Sequence, residues 1–256
     1  MKKLITNTLL SLTLLSTSAI YADDSSEWEH SVSLYGWLPS FNGTLEYTIP
    51  SDGAEPEEDA ESSSIDNLDM VFMGSYEARK EKWSFLADVI YLKMSADQGK
   101  SITIFPRLGG PSFEVGAEEE LKAWLLGFYG GYNIIDIDNF TMDAIAGMRY
   151  FYLGVDAKFS LANRNVSLSP SNESYDAIVG VKGKVDINQN WYIPYLFDIG
   201  TGDTDLTWQA ETSLGYRFDW GDILLTYRYI HYDKDDSGLV NDFDLYGPKI
   251  GVVLHF

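Results

Sequence analysis

The chain contains no cysteine, which excludes a disulfide scaffold, a thiolate metal site and a cysteine nucleophile. Basic residues are few: 18 Lys and Arg stand against 39 Asp and Glu in 256 residues, a formal charge of -21. Affinity for a phosphate backbone comes from Lys and Arg displacing counterions, so nucleic acid is excluded as a partner. Histidine is scarce as well, at three residues, and this confines imidazole acid–base chemistry to His30, His231 and His255. Beyond the amino terminus no apolar run approaches the ~20 residues of a membrane-spanning helix. A helical membrane protein is thereby excluded.

What is present starts with a leader pattern. Lys2 and Lys3 precede an apolar stretch from Leu9 to Leu15 and then small residues from Ser16 to Ala19, the arrangement of a secretory signal peptide. Cleavage after Ala22, with Ala19 as the second site, divides the chain into a signal peptide at 1–22 and a mature domain at 23–256. The apolar core of the leader is too short to serve as a spanning anchor.

The mature chain alternates with period two. Trp191, Ile193, Tyr195, Phe197 and Ile199 form one apolar face; Trp208, Ala210, Leu214, Tyr216 and Phe218, and Phe140, Met142, Ala144, Ala146 and Met148, form two more. Such alternation over long stretches specifies strands. Ten segments carry it: 28–38, 68–79, 83–94, 120–132, 139–155, 174–185, 191–200, 206–218, 222–233 and 243–256. Short turns at Arg79–Lys82, Asn133–Asp138, Asp186–Asn190 and Asp219–Asp222 alternate with longer polar connections at 39–67, 95–119, 156–173 and 234–242; on that side only 201–205 is short. Short turns at one end and mostly long loops at the other specify an all-β, antiparallel up-and-down transmembrane β-barrel of about 10 strands. The pair Asn42 and Gly43 is a hairpin signal that would add a short hairpin at 39–49, so eight and twelve strands are the even alternatives.

In a soluble sandwich the apolar faces would point inward, on strands of ~5–6 residues. These segments are nearer the ~9–11 residues of a tilted strand crossing hydrocarbon, so the apolar face is expected to look at lipid and the mixed face at the lumen. Aromatic placement agrees. Trp83, Tyr132, Phe140, Trp191, Phe218 and Phe256 fall toward one set of strand ends, and Tyr91, Trp124, Tyr152, Tyr175, Trp208, Tyr229 and Tyr246 toward the other, as two interfacial girdles would. The expected location is the outer membrane of a Gram-negative cell, with both termini periplasmic.

The inward parity then collects Glu77, Asp88, Asp143, Asp176, Asp198 and Glu211 with Arg149, Lys182, Lys184, Arg217, Arg228 and Lys249. Six acids facing six bases in a confined space are expected to form a paired network. A barrel this small is also filled mostly by side chains. A largely plugged lumen is therefore expected, with a narrow pore for small solutes as the alternative.

The remaining negative charge belongs to loops. Asp52, Glu55, Glu57, Glu58, Asp59, Glu61 and Asp66 occur without an intervening Lys or Arg, as in a solvated acidic loop. Oxygen-rich clusters also suit divalent cations, which would bridge these carboxylates to lipopolysaccharide phosphates; no regular calcium-loop spacing is present. No cofactor motif occurs. For catalysis a barrel-borne hydrolase needs a histidine beside a carboxylate or hydroxyl. His30 and His255 lie at the wrong strand ends, and His231, followed by Asp233, Asp235 and Asp236, has no serine motif beside it. The protein is not expected to be an enzyme.

The carboxyl-terminal run has Lys249, Gly251, Leu254 and a terminal Phe256. It resembles the β-signal that the barrel-assembly machinery of bacterial outer membranes reads in a last strand. Further stretches, at Tyr35–Pro39 with Gly43, Asn67–Asp69, Ala87–Leu92, Ala146–Tyr150, Asp176–Gly180, Asp198–Gly200 with Leu206–Trp208, and Gly247–Gly251, resemble a family of small bacterial outer-membrane β-barrels without an assigned activity. The resemblance spans most of the mature chain. It implies the fold, the location, and outer-membrane lipid, lipopolysaccharide and the assembly machinery as partners, but no substrate and no catalytic residue.

Overall fold

A computed structural model describes residues 27–45, 68–96, 101–103, 112–114, 118–161, 164–168, 171–234 and 240–256. The expected leader at 1–22 and the acidic residues from Asp52 to Asp66 lie outside the described residues. In chain order the strands are β1 (Glu29–Trp37), β2 (Ser40–Leu45), β3 (Leu68–Lys80), β4 (Trp83–Ala96), β5 (Ser101–Thr103), β6 (Ser112–Glu114), β7 (Glu118–Ile137), β8 (Phe140–Leu161), β9 (Arg164–Leu168), β10 (Ser171–Asp186), β11 (Trp191–Gly202), β12 (Leu206–Phe218), β13 (Gly221–Asp233) and β14 (Val240–His255).

The barrel wall runs β1, β3, β4, β7, β8, β10, β11, β12, β13, β14, each antiparallel to its neighbours, and β14 pairs back on β1 to close it. This is a closed ten-stranded antiparallel β-barrel. At the seam Ser31 pairs with His255 and Trp37 with Lys249, while His30 and Phe256 exchange backbone hydrogen bonds of 3.0 Å. Closure removes the unpaired sheet edge that a lone last strand would present.

Two of the expected connections are corrected. The Asn42–Gly43 pair is not a turn: both residues lie in β2, opposite Asp244 and Phe243 of β14. The register of β2 on β14 continues that of β1, through Leu38 N–H donating to Pro248 O at 3.1 Å. A waiting β14 template thus overrides the local turn preference of Asn and Gly. It also requires Gly247, where an added Cβ would lie 2.2 Å from Leu38 O. The stretches 95–119 and 156–173 are likewise not simple loops. β7 starts at Glu118 and β8 runs to Leu161, where β9 folds back on it, and β5 pairs with β6. The apolar face ends before the strands do, because backbone pairing does not need an apolar face. Beyond Tyr91 and Trp124 the outward ladder continues with polar pairs: Lys93 contacts Glu120 at 2.9 Å, and Lys122 is also paired with Glu120.

Parity decides what faces where. Val179, Leu225 and Ile250 point outward and are 59%, 58% and 62% exposed, whereas Arg149, Asp198 and Asp143 point inward and are buried. The greasy side of each strand is outside one closed wall, and no second sheet covers it among the described residues. At the short-turn rim Trp83 packs on Tyr132 and Trp191 on Tyr216, both with centroids 4.8 Å apart. At the other rim Tyr91 packs on Trp124 at 4.2 Å, Trp208 on Tyr229 at 4.9 Å and Tyr150 on Tyr175 at 4.6 Å. The separations from Trp83 to Tyr91 on β4 and from Trp208 to Phe218 on β12 match the ~9–11 residues of a tilted membrane crossing. The described chain enters β1 and leaves β14 at the short-turn rim.

Candidate functional site: the ion-paired lumen face

Inward residues come from strands on opposite walls, so their contacts cross the barrel. Near the short-turn rim, Asp143 of β8 accepts hydrogen bonds from Arg79 of β3 at 2.5 Å, Asn133 at 2.9 Å and Ser84 at 3.3 Å. Lys182 of β10 reaches Glu77 of β3 at 2.5 Å and lies 4.0 Å from Asp143. Beside this group, Asp186 is paired with Arg217 and lies 3.6 Å from Lys184, while Asp222 accepts from the Tyr192 hydroxyl at 2.5 Å and lies 3.1 Å from His255.

A second group occupies the middle of the barrel. Arg149 of β8 donates to Asp198 of β11 at 2.5 Å, to Thr207 of β12 at 2.9 Å and to Gln209 at 3.3 Å. Arg228 of β13 donates to Asp88 of β4 at 2.8 Å and to the same Gln209 oxygen at 2.8 Å. Gln209 Oε1 therefore joins two buried guanidiniums that each have their own carboxylate. Tyr35 donates to Asp88 at 2.5 Å, and Lys249 donates to Glu211 at 2.7 Å while lying over the Tyr35 ring at 4.5 Å. Burying a charge in such a space is tolerable only when it is paired and hydrogen-bonded. Arg149 and Asp198, at 1% and 0% side-chain exposure, meet that condition.

Toward the long-loop rim the lumen turns apolar. Trp37, Ile90, Leu125, Phe151, Ile230 and Tyr232 form a buried cluster with Phe243. Phe151 packs 5.3 Å from Tyr232 and 5.2 Å from Phe243, and Tyr232 stacks on Phe243 at 4.7 Å. Charge alone does not mark this layer, because its inward residues are uncharged. Its signal was available: Trp37, Ile90, Leu125, Phe151, Ile230 and Phe243 all share the inward parity of the ions. We expect Ile230→Val, which removes one buried methylene, to cost about 0.5–1.5 kcal/mol, read as a shift in the denaturant midpoint of the refolded barrel.

All twelve residues collected by parity lie on the lumen side of the wall, but they are not all ion-paired with one another. Asp176 is held instead by Thr204, whose backbone N–H and hydroxyl donate to Oδ1 at 2.9 and 2.7 Å. The tight connection after β11 brings Thr204 over the strand end and supplies these donors. Arg79, Asp186 and Asp222 belong to the lumen set and were missed, because each sits at or within one residue of a strand end, against a turn, where the alternation has little left to mark the face. Tyr35, Thr207 and Gln209 were missed because a search for charges passes over neutral acceptors and hydroxyls.

Of the carboxyl-terminal residues, Lys249 is the Glu211 partner, Gly251 sits opposite Tyr35 at the seam with no room for a Cβ (2.8 Å from Tyr35 Cβ), Leu254 is exposed on the outer face, and Phe256 stacks on His30 at 5.7 Å. His231 is on the outer face. Its Nδ1 lies 2.8 Å from Asp244 and 3.9 Å from Asp242, and its ring is 5.9 Å from Trp208. The carboxylate beside it is thus supplied across the β13–β14 ladder by Asp244; Asp235 and Asp236 lie outside the described residues. The hydroxyl of Thr207 donates to the His231 backbone carbonyl, not to the ring. Among the described residues no group of three or more His, Asp or Glu is arranged to hold a metal ion.

The fold and its inward-facing residues define the class: a closed antiparallel barrel with an apolar exterior and ion-paired, hydrogen-bonded side chains on its lumen side. No family model matches the sequence, and a search of curated proteins finds no match. Among solved structures the chain is similar to the outer membrane protease OmpT from Escherichia coli, at 7% identity and a TM-score of 0.46 over 90% of this chain and 94% of that one. It is also similar to the translocator domain of the autotransporter NalP from Neisseria meningitidis (12% identity, TM-score 0.38, 91% and 89% covered) and to the CymD monoaromatic hydrocarbon channel (10% identity, TM-score 0.32, 90% and 89% covered). Likeness at this level carries neither activity nor partner.

Proposed function

We propose that the protein is an integral outer-membrane β-barrel whose lumen is closed by paired charges and an apolar layer, acting as a structural or interaction barrel rather than as a general conduit. The observation that carries this reading is the inversion of the wall: apolar side chains are exposed around the whole circumference while Arg149, Arg228, Asp88, Asp143 and Asp198 are buried inside it. In water such an exterior would be an aggregation surface, since soluble monomers rarely expose apolar patches beyond a few hundred Å². In lipid it is the matched face, and the aromatic pairs at the two rims occupy the headgroup levels.

Within this reading both termini are periplasmic, the acidic 39–67 connection is extracellular, and the partners are outer-membrane lipid, lipopolysaccharide with divalent cations at the acidic connection, and the assembly machinery that reads Lys249, Gly251, Leu254 and Phe256. The protein is not proposed to be an enzyme. His231 has an orienting carboxylate but faces the wall exterior among aromatic rings, so the joint geometry of nucleophile, base and orienter has no support there. Reconstituted into a planar bilayer, the protein is expected to insert without stable conductance steps. Steady open-channel steps would replace the closed barrel by the narrow-pore reading.

A further inference from the structure

We propose that the outer wall of β3, β4 and β7 holds one glycerophospholipid with an anionic headgroup, its phosphate at the β3–β4 turn and one acyl chain in a groove directly above. The proposal rests on the membrane reading and adds a specific lipid site to it. The groove, of about 270 Å³, is lined by Tyr76, Phe85, Ala87, Phe128 and Gly130 together with the strand segment at Leu86. Register explains its shape. Ala87 lies between Tyr76 and Phe128 across the ladder, and Gly130 lies opposite Phe85. Two small residues make a floor among three rings that are 42%, 53% and 44% exposed. A cleft this narrow between rings fits a single acyl chain, whereas the convex wall of a second barrel would rest on the rims.

The headgroup end is marked independently by charge. The turn after β3 is Glu81–Lys82, flanked by Lys80 and Trp83, which pair with each other. Among the described turns at this rim it is the one carrying lysine: Asp138–Asn139, 187–190 and Asp219–Trp220 have none. In a chain with twice as many acids as bases, that placement singles out one sector of the rim. Lys80 has outward parity and lies over the Trp28 ring at 5.9 Å, and Trp28 packs 6.2 Å from Phe85, a groove wall. On the other side His30 Nδ1 lies 2.8 Å from the hydroxyl of Tyr76, a second wall. Cation, interfacial rings and apolar groove are therefore continuous along one line of the outer surface. The acids at this part of the rim are Glu81 between the lysines, Glu27 and Glu29 at the start of β1, and Asp136 and Asp138 on the neighbouring β7–β8 hairpin, whose Asn133 N–H donates to Lys82 O at 2.7 Å. Glu29 pairs with Arg79 in register and shares its lumen-facing parity, so it does not compete with Lys80 on the outward side, and the turn Lys80–Glu81–Lys82 keeps a net positive charge.

The test uses the full mature protein in detergent micelles doped with equimolar phosphatidylglycerol and phosphatidylcholine, with bound lipid read by native mass spectrometry. Two interfacial lysines predict about tenfold or greater retention of phosphatidylglycerol over phosphatidylcholine. That preference should vanish in Lys80→Ala/Lys82→Ala. Retention of either lipid should fall in Gly130→Leu, which fills the floor; an added Cβ there meets only Ala146 O at 3.8 Å, an ordinary contact, so the barrel persists. Equal retention of the two lipids by the unaltered protein, or phosphatidylglycerol retention unchanged in both variants, overturns the proposal. A dimer mass that disappears in Gly130→Leu assigns the groove to a second copy and overturns it too. Failure of the membrane reading itself is separately visible, as a protein that neither needs detergent nor floats with vesicles of either lipid.

Discussion

Arg149→Met is expected to cost the folded barrel about 3–5 kcal/mol, the penalty for leaving one member of a buried ion pair without its partner. The reason is Asp198, which has no solvent access and takes its 2.5 Å hydrogen bond from Arg149, with Tyr129 only at 3.5 Å. Gln209 and Thr207 lose a donor in the same step. The double variant Arg149→Met/Asp198→Leu removes both charges and is expected to recover most of the loss, because the net worth of a buried pair over an apolar replacement is small. Urea unfolding of protein refolded into lipid vesicles, followed by tryptophan fluorescence, measures both. A single variant within about 1 kcal/mol of the unaltered protein would show that water reaches Asp198, and the closed core would have to be given up.

Leu225→Arg is expected to destabilise the barrel in vesicles by about 2–4 kcal/mol, with Trp220→Arg costing only about 0–1 kcal/mol. Both side chains are on the outer face and more than half exposed. They differ in depth: Leu225 lies between the short-turn rim and Tyr229, opposite Ile250, whereas Trp220 is in the turn. If the exterior met water, both substitutions would behave as ordinary surface changes, within ~0.5 kcal/mol. A depth-dependent difference is what a hydrocarbon layer imposes and water does not. Equal and small effects at the two positions would remove the membrane from the account.

The segments around Trp191–Ile199 and Trp208–Phe218 were legible as strands because their apolar faces repeat every second residue, and the same repeat placed Asp198 and Glu211 on the opposite face. The full extent of β7 and β8 was not legible, because Glu120, Lys122 and Lys93 carry the ladder onward with polar pairs that an apolar-face criterion cannot see. The Asn42–Gly43 signal misled for a related reason. It is a local preference of about the size of a turn propensity, and it yields to a row of hydrogen bonds with β14 once that strand is in place.

The candidate site divides the same way. That Arg149, Arg228, Asp88 and Asp198 share a face is a property of parity. That Arg228 pairs with Asp88, 140 positions earlier, and not with a nearer acid depends on which strands oppose each other across the closed wall.

The amino-acid order alone determined the alternation and the side on which each charge sits, because the two-residue pleat sets both within a strand, and the spacing of the alternating segments set the even strand count and the short-turn and long-loop ends. Only the closed tertiary structure decided who meets whom in the interior. Closure sets the shear between distant strands, and that shear brings Gln209 between two guanidiniums, caps Asp176 with Thr204 rather than a cation, and stacks Phe151, Tyr232 and Phe243 into an apolar layer over the ions.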